Sequence, residues 1–232
     1  MPGQVRTKSE LLFEEVCDRH GIVWARLPEC QDRPQPDYEL SIDGQRIVAE
    51  IKQIEPNDED RAYTEALRLQ GRVSGVWNPD ERARRVRDDV RASRRQLREY
   101  LEPNPGAPAL LVIFDNTDCR YDDQHNILTA MHGWEQAVIS TAGDRPVIVE
   151  QGFAPRNNST IRHDVNRHLS ALVTLHEFAD FDTHERKLGL RFYHNEYADV
   201  PFTPELWQGP EIYHLRLGPK EPGQYQDWEP ME

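Results

Sequence analysis

Three residues could act together: Asp37, Glu50 and Lys52. Asp37 follows Pro36, twelve residues intervene, and then comes Glu50-Ile51-Lys52. The intervening segment holds two β-prone runs, 38–42 and 47–51, joined by Asp43-Gly44, a dipeptide that turns a hairpin tightly. Two carboxylates one hairpin apart can converge on a hard cation through their oxygens. Such a cation polarises a phosphodiester, stabilises the charge that builds at phosphorus and lowers the pKa of a bound water. Glu50 and Lys52 share one strand face, with Ile47, Ala49 and Ile51 on the other. A lysine so placed can pair with the scissile phosphate or orient the attacking water. The plain structural alternative makes Asp37 a turn cap after Pro36, and Glu50 and Lys52 a solvated strand face.

These residues need a frame. Ser9 is the expected N-cap of a helix over 10–20, with Leu12, Phe13, Val16 and Cys17 at helical spacing and Gly21 as the stop. A short strand over 22–25 and a loop over 27–36 with three prolines lead into the hairpin. A helix through 60–70, a break over 71–80 and a long helix over 81–101 with Asp80 as N-cap follow. The run 109–114 is the most apolar of the chain and reads as a buried central strand. Beyond it the pattern predicts strands over 146–150, 171–175 and 188–194, a helical stretch over 161–170 and a loop-like tail from Gly218. The order helix, strand, hairpin, helix, strand, helix, strand predicts an α/β or α+β fold with a mixed central sheet flanked by helices.

The motif Pro36-Asp37…Glu50-Ile51-Lys52, in this order of elements, resembles the PD-(D/E)xK nuclease superfamily. The resemblance implies a restriction-endonuclease-like core over about residues 9–115, with 116–232 as a C-terminal extension of the same single domain, 1–232. It implies an endonuclease hydrolysing phosphodiester bonds with Mg²⁺ or Mn²⁺, and nucleic acid, DNA foremost, as partner. Asp37 and Glu50 would hold the metal, helped by the Ile51 carbonyl, and Lys52 would support the nucleophile. The family's first helix often carries a metal-site Glu about eleven residues before a Gly. Glu10 stands eleven residues before Gly21, with Glu14 one turn later as fallback. In several branches the helix after the motif brings a basic residue and a Gln to the site. Arg94-Arg95-Gln96 resembles that element, and Arg91 joins these as nucleic-acid-binding candidates. Arg82, Arg85, Arg91 and Arg95 could recur along one exposed, phosphate-binding stripe. The family's frequent dimerisation also admits a homodimer. A catalytically inactive nucleic-acid-binding or assembly module is the first alternative.

Composition bounds these readings. The chain has 232 residues with a net charge of -13, which excludes grip on nucleic acid by bulk electrostatics. The charge is uneven: 82–98 carries eight arginines against Asp88 and Asp89, whereas 102–232 carries 10 basic and 21 acidic residues. No apolar run approaches the roughly 20 residues of a membrane span, so no membrane partner is expected. The N-terminus has no apolar secretory core. Three widely spaced cysteines, Cys17, Cys30 and Cys119, point to a reduced cytoplasmic compartment. His163-Asp164 is the dipeptide of HD-type metal phosphohydrolases, with His125, His132 and Asp182 as the partners such a site would need. No Walker loop, GxGxxG, GxSxG or HExxH is present.

Overall fold

The computed structural model describes residues 6–28, 30, 33–71, 79–103, 105–142, 145–153, 159–180, 183–219 and 226–231. The first helix, α1 (Lys8–Arg19), starts two residues earlier than the sequence predicts. Thr7, not Ser9, is its N-cap, in a capping box: Thr7 accepts from the Glu10 amide while the Glu10 carboxylate accepts from the Thr7 amide at 2.6 Å. Gly21 takes φ +65° just past the helix and turns the chain into β1 (Val23–Arg26).

The hairpin forms as expected. β2 (Tyr38–Ile42) and β3 (Gln45–Ile54) pair antiparallel across Asp43 and Gly44, both at positive φ, as a two-residue turn of this hand requires. Two helices follow, α2 (Asp58–Gln70) and α3 (Pro79–Leu101). Within the expected break, Gly71 ends α2 in the left-handed region, and 72–78 lie outside the described residues. Asp80 is not a cap but sits in the first turn of α3, where it accepts at 2.6 Å from the buried Arg87 guanidinium.

β4 (Ala109–Asp115) is the buried central strand the sequence predicts. Then come α4 (Gln124–His132), a separate ribbon of β5 (Glu135–Ser140) and β6 (Val147–Phe153), and β7 (Ala171–Ala179), β8 (Arg186–His194), β9 (Ile212–Leu217) and β10 (Trp228–Pro230). The main sheet runs β1-β2-β3-β4-β7-β8-β9-β10, with parallel pairs at β3–β4, β4–β7 and β8–β9 and antiparallel pairs elsewhere. The fold is therefore mixed α/β, and one sheet runs through both halves of the chain.

Two expectations need correction. Residues 161–170 are not helical: Asn166 takes φ +55° and Arg162 bridges Val165, so Ile161 and Leu169 reach the core from turns. The tail is not all loop, because Trp228–Pro230 adds an edge strand, where a proline costs no ladder bond. Pro222 of that tail lies outside the described residues.

The sheet separates two cores. On one face α1 packs with Tyr38, Leu40, Ile47, Ala49 and Ile51, and with Phe192 and Trp207. On the other, α3 and α4 pack on Val48, Ile54, Leu111 and Ile113. Phe192 is fully buried, its ring 5.2 Å from Phe202, 5.6 Å from Trp207 and 4.6 Å from His214. Phe192→Ala is expected to cost about 3–5 kcal/mol, read as a lower urea midpoint with an unchanged slope. Among the described residues no helix is long and apolar enough to cross a membrane.

Candidate active site

The site is built where β2 and β3 part. Their register pairs Tyr38 with Ala49 as the last rung. Carried one residue further, it sets Asp37 opposite Glu50. There the ladder ends, and the Asp37 carboxylate takes over a strand's role by accepting from the Ile51 amide at 2.7 Å. Leu27 fixes the same turn by donating to the Asp37 carbonyl at 2.9 Å. Glu50 and Lys52 alternate with Ile51 and face α3, and on their other side β3 pairs with β4, Glu50 beside Leu111 and Lys52 beside Ile113. Covered by α3 and flanked by Leu111 on the β4 side, Glu50 has 0% exposure.

A buried carboxylate so placed is unusual unless paired. Lys52 donates to Glu50 Oε1 at 2.6 Å. Glu50 Oε2 is buried with no donor. The Gln96 amide is close enough to favour the charged carboxylate but makes no hydrogen bond of acceptable geometry to Oε2. Burial first, and then the charge of Asp37, push the Glu50 pKa up to about 7 against the pull of Lys52. Burial also raises the Asp37 pKa, with Glu10 adding to it and the Ile51 amide, Lys52 and Arg26 opposing. For Lys52, burial alone would lower the pKa, but Glu50, Asp37 and Asp89 outweigh it and the net shift is upward.

Asp89 has no part in the sequence motif. Burial raises its pKa to about 6, and Lys52 and Arg85 favour its charged form. The signal was present in the spacing: Asp89 and Gln96 lie seven residues, two helical turns, apart on α3. Asp89 acts on Lys52, Gln96 acts on Glu50, and the Gln96 amide donates to the main-chain carbonyl of Gln35 at 3.2 Å, two residues before Asp37.

A cation needs the carboxylates ionised, so pH governs its binding. With the Glu50 pKa raised to about 7, Mn²⁺ affinity is expected to fall as pH drops below that value. Calorimetric titration should show roughly tenfold weaker binding per pH unit there, the slope for one competing proton.

Glu10 is not brought to this point. It belongs to α1, across the sheet from Lys52 and Glu50. Its Oε2 is held by Thr7 and its Oε1 pairs with Arg26. Its charge acts on Asp37. Glu14 accepts from the Tyr38 hydroxyl at 2.8 Å and from Arg6 at 2.6 Å.

The α3 arginines divide by helical angle, about 100° per residue. Arg91 and Arg95 lie on the outer face, pairing with Asp88 at 3.0 Å and Glu99 at 3.7 Å. Arg94 is on the far flank, where its charge and that of Arg98 depress the pKa of His168 after burial has done so. Arg82 and Arg85 share the inner edge with Asp89 but are committed elsewhere. Both lie over the Tyr121 ring, Arg85 donates to Asp60 at 2.7 Å, and Arg82 donates to the Cys119 carbonyl at 2.5 Å. The four arginines therefore do not make one stripe.

The HD-type alternative finds no frame among the described residues. His163 and Asp164 sit in an exposed turn closed by backbone hydrogen bonds between Arg162 and Val165, and Asp164 pairs with Arg162 at 3.4 Å. His132 is buried, which pushes its pKa down to about 4. Asp182 lies outside the described residues.

Among the described residues no three His, Cys, Asp or Glu side chains gather into a ready cage. The donor chemistry nonetheless fits a hard cation: an unsatisfied buried carboxylate oxygen on Glu50, a second carboxylate opposite it and no soft ligand beside them. No family model, curated protein or solved structure matches this chain.

Proposed function

We propose that the protein is a metal-dependent nuclease with a restriction-endonuclease-like core, hydrolysing phosphodiester bonds in nucleic acid, DNA foremost. One observation carries the reading. Glu50 is fully buried, tied to Lys52 by one oxygen and left without a donor on the other, directly across from Asp37. An unsatisfied buried carboxylate oxygen costs about 1–3 kcal/mol or more, which a solvated strand face would never incur. A cation shared with Asp37 removes that cost.

Mg²⁺ or Mn²⁺, held by Asp37 and Glu50, would supply Lewis acidity toward the phosphate oxygen and the attacking water. The remaining work falls to the chain. Lys52, beside Glu50, would bring a positive charge to the negative charge that builds on the phosphoryl oxygens. Its positive state is secured by Glu50, Asp37 and Asp89. Gln96 ties α3 to the turn before Asp37 and so fixes the distance between helix and hairpin. Arg91 and Arg95, exposed on the outer face of the same helix, would suit phosphates farther along a bound strand, which position it without reading its bases.

Incubating the chain with plasmid and with RNA in Mg²⁺ or Mn²⁺, beside Glu50→Ala and His163→Ala, tests this. The expected result is cleavage lost with Glu50→Ala and kept with His163→Ala. Cleavage that survives Glu50→Ala contradicts the reading. Binding without cleavage on every substrate supports the inactive module instead.

A further inference from the structure

We propose that Gln35 is a third oxygen ligand, its side-chain carbonyl joining Asp37 and Glu50 around the divalent cation. The inference rests on the nuclease reading above and adds a residue outside its motif. The segment is Gln35-Pro36-Asp37. Proline confines the residue before it to extended backbone, so Gln35 and Asp37, two apart, project to the same side. The last β2–β3 rung is Tyr38–Ala49, so Gln35 and Asp37 lie just beyond the ladder, on the chain that leads into β2.

Two buried acceptors there lack a donor: Gln35 Oε1 and Glu50 Oε2. Gln96 links the two residues: its side-chain amide donates to the main-chain carbonyl of Gln35 at 3.2 Å and favours the charged form of the Glu50 carboxylate. Buried acceptors without donors are rare, and two on residues joined through Gln96 suit a common partner. Every other buried acceptor of the cluster is satisfied: Asp37 by Ile51, and Glu50 Oε1 by Lys52. An amide carbonyl is an ordinary oxygen ligand for a hard cation and adds no charge to the pair of carboxylates.

Calorimetric titration of the full chain with Mn²⁺ tests the inference without relying on cleavage. Gln35→Ala should weaken Mn²⁺ by at least about tenfold, the loss usual when a ligand shell is disturbed. Gln35→Glu, which restores an oxygen, should recover binding. The melting temperature of the metal-free Gln35→Ala protein should not fall, because the residue leaves behind no unpaired partner. Wild-type affinity in Gln35→Ala overturns the inference. So does tighter binding, which would mean that the amide NH₂ faces Glu50 and competes with the ion. Glu50→Gln separates the levels: if it abolishes Mn²⁺ binding while Gln35→Ala leaves it intact, only the role of Gln35 falls. If wild type binds no Mn²⁺, the nuclease reading falls and the inference with it.

Discussion

Glu50→Gln is expected to abolish divalent-dependent cleavage while making the metal-free protein more stable above about pH 7. The loss of activity follows from the loss of a charged oxygen ligand. Metal stabilisation of transition-state charge is worth several kcal/mol, so roughly 10³-fold or more in rate should disappear. The gain in stability follows from burial. The Glu50 pKa is raised to about 7 in the folded protein from its ordinary 4.5. The folded state thus holds the proton more tightly than the unfolded state, and ionisation destabilises it. That cost is absent below the unfolded pKa, grows as pH rises and is complete above about 7. Glutamine keeps an oxygen for Lys52 and removes the charge. After the unpaired amide donor it introduces is counted, a net gain on the order of 2 kcal/mol remains. Thermal melts of the metal-free proteins at about pH 8 and pH 4 check this, with the gain in stability expected only at the higher pH. A solvated strand face would show neither the gain nor its pH dependence.

Lys52→Met is expected to cost about 10²–10³-fold in kcat while Mn²⁺ still binds at alkaline pH, the loss usual for one preorganised donor to a developing anion. Lys52 also holds the Glu50 pKa down. Its removal should therefore move the acid limb of the pH profile upward, so that activity and Mn²⁺ binding both require a higher pH than in wild type. The sign is informative. A lysine serving only to fill space would leave the limb in place, and one needed only to hold the metal would lose binding at every pH. Single-turnover rates and Mn²⁺ titrations across pH separate these outcomes.

How much of this was legible in the sequence differs by residue. The hairpin was, because Asp43-Gly44 demands two positive-φ positions and the alternation over 47–52 assigns faces without ambiguity. That alternation set Glu50 and Lys52 together, and it held because a strand has only two sides. The placement of Glu10 was not legible. Spacing to Gly21 sets its position along α1, but the capping box and the pair with Arg26 decide where its carboxylate goes, and both depend on neighbours far from it in sequence. Which α3 arginines share a face was not legible for a similar reason. A helix so rich in arginine offers several stripes, and only packing on β3 shows which faces inward. Asp89 and Gln96 point in, Arg91 and Arg95 point out. The apolar spacing of Ile161, Val165 and Leu169 imitates a helix. Yet Asn166 adopts a left-handed conformation, with its side chain donating to the Thr160 carbonyl at 2.6 Å, and that local bond defeats the pattern. The helix α4 was missed although Asp123 caps it through the Asn126 amide at 2.9 Å.

The most direct test couples binding to chemistry in the same samples. Mn²⁺ is titrated into the full chain while calorimetry reads binding and plasmid nicking reads turnover. The account predicts that nicking rises with occupancy of the Mn²⁺ site, with half-saturation at the same Mn²⁺ concentration, and that Glu50→Gln loses both together. Nicking without added divalent ion, or nicking that persists undiminished in Glu50→Gln, would contradict it.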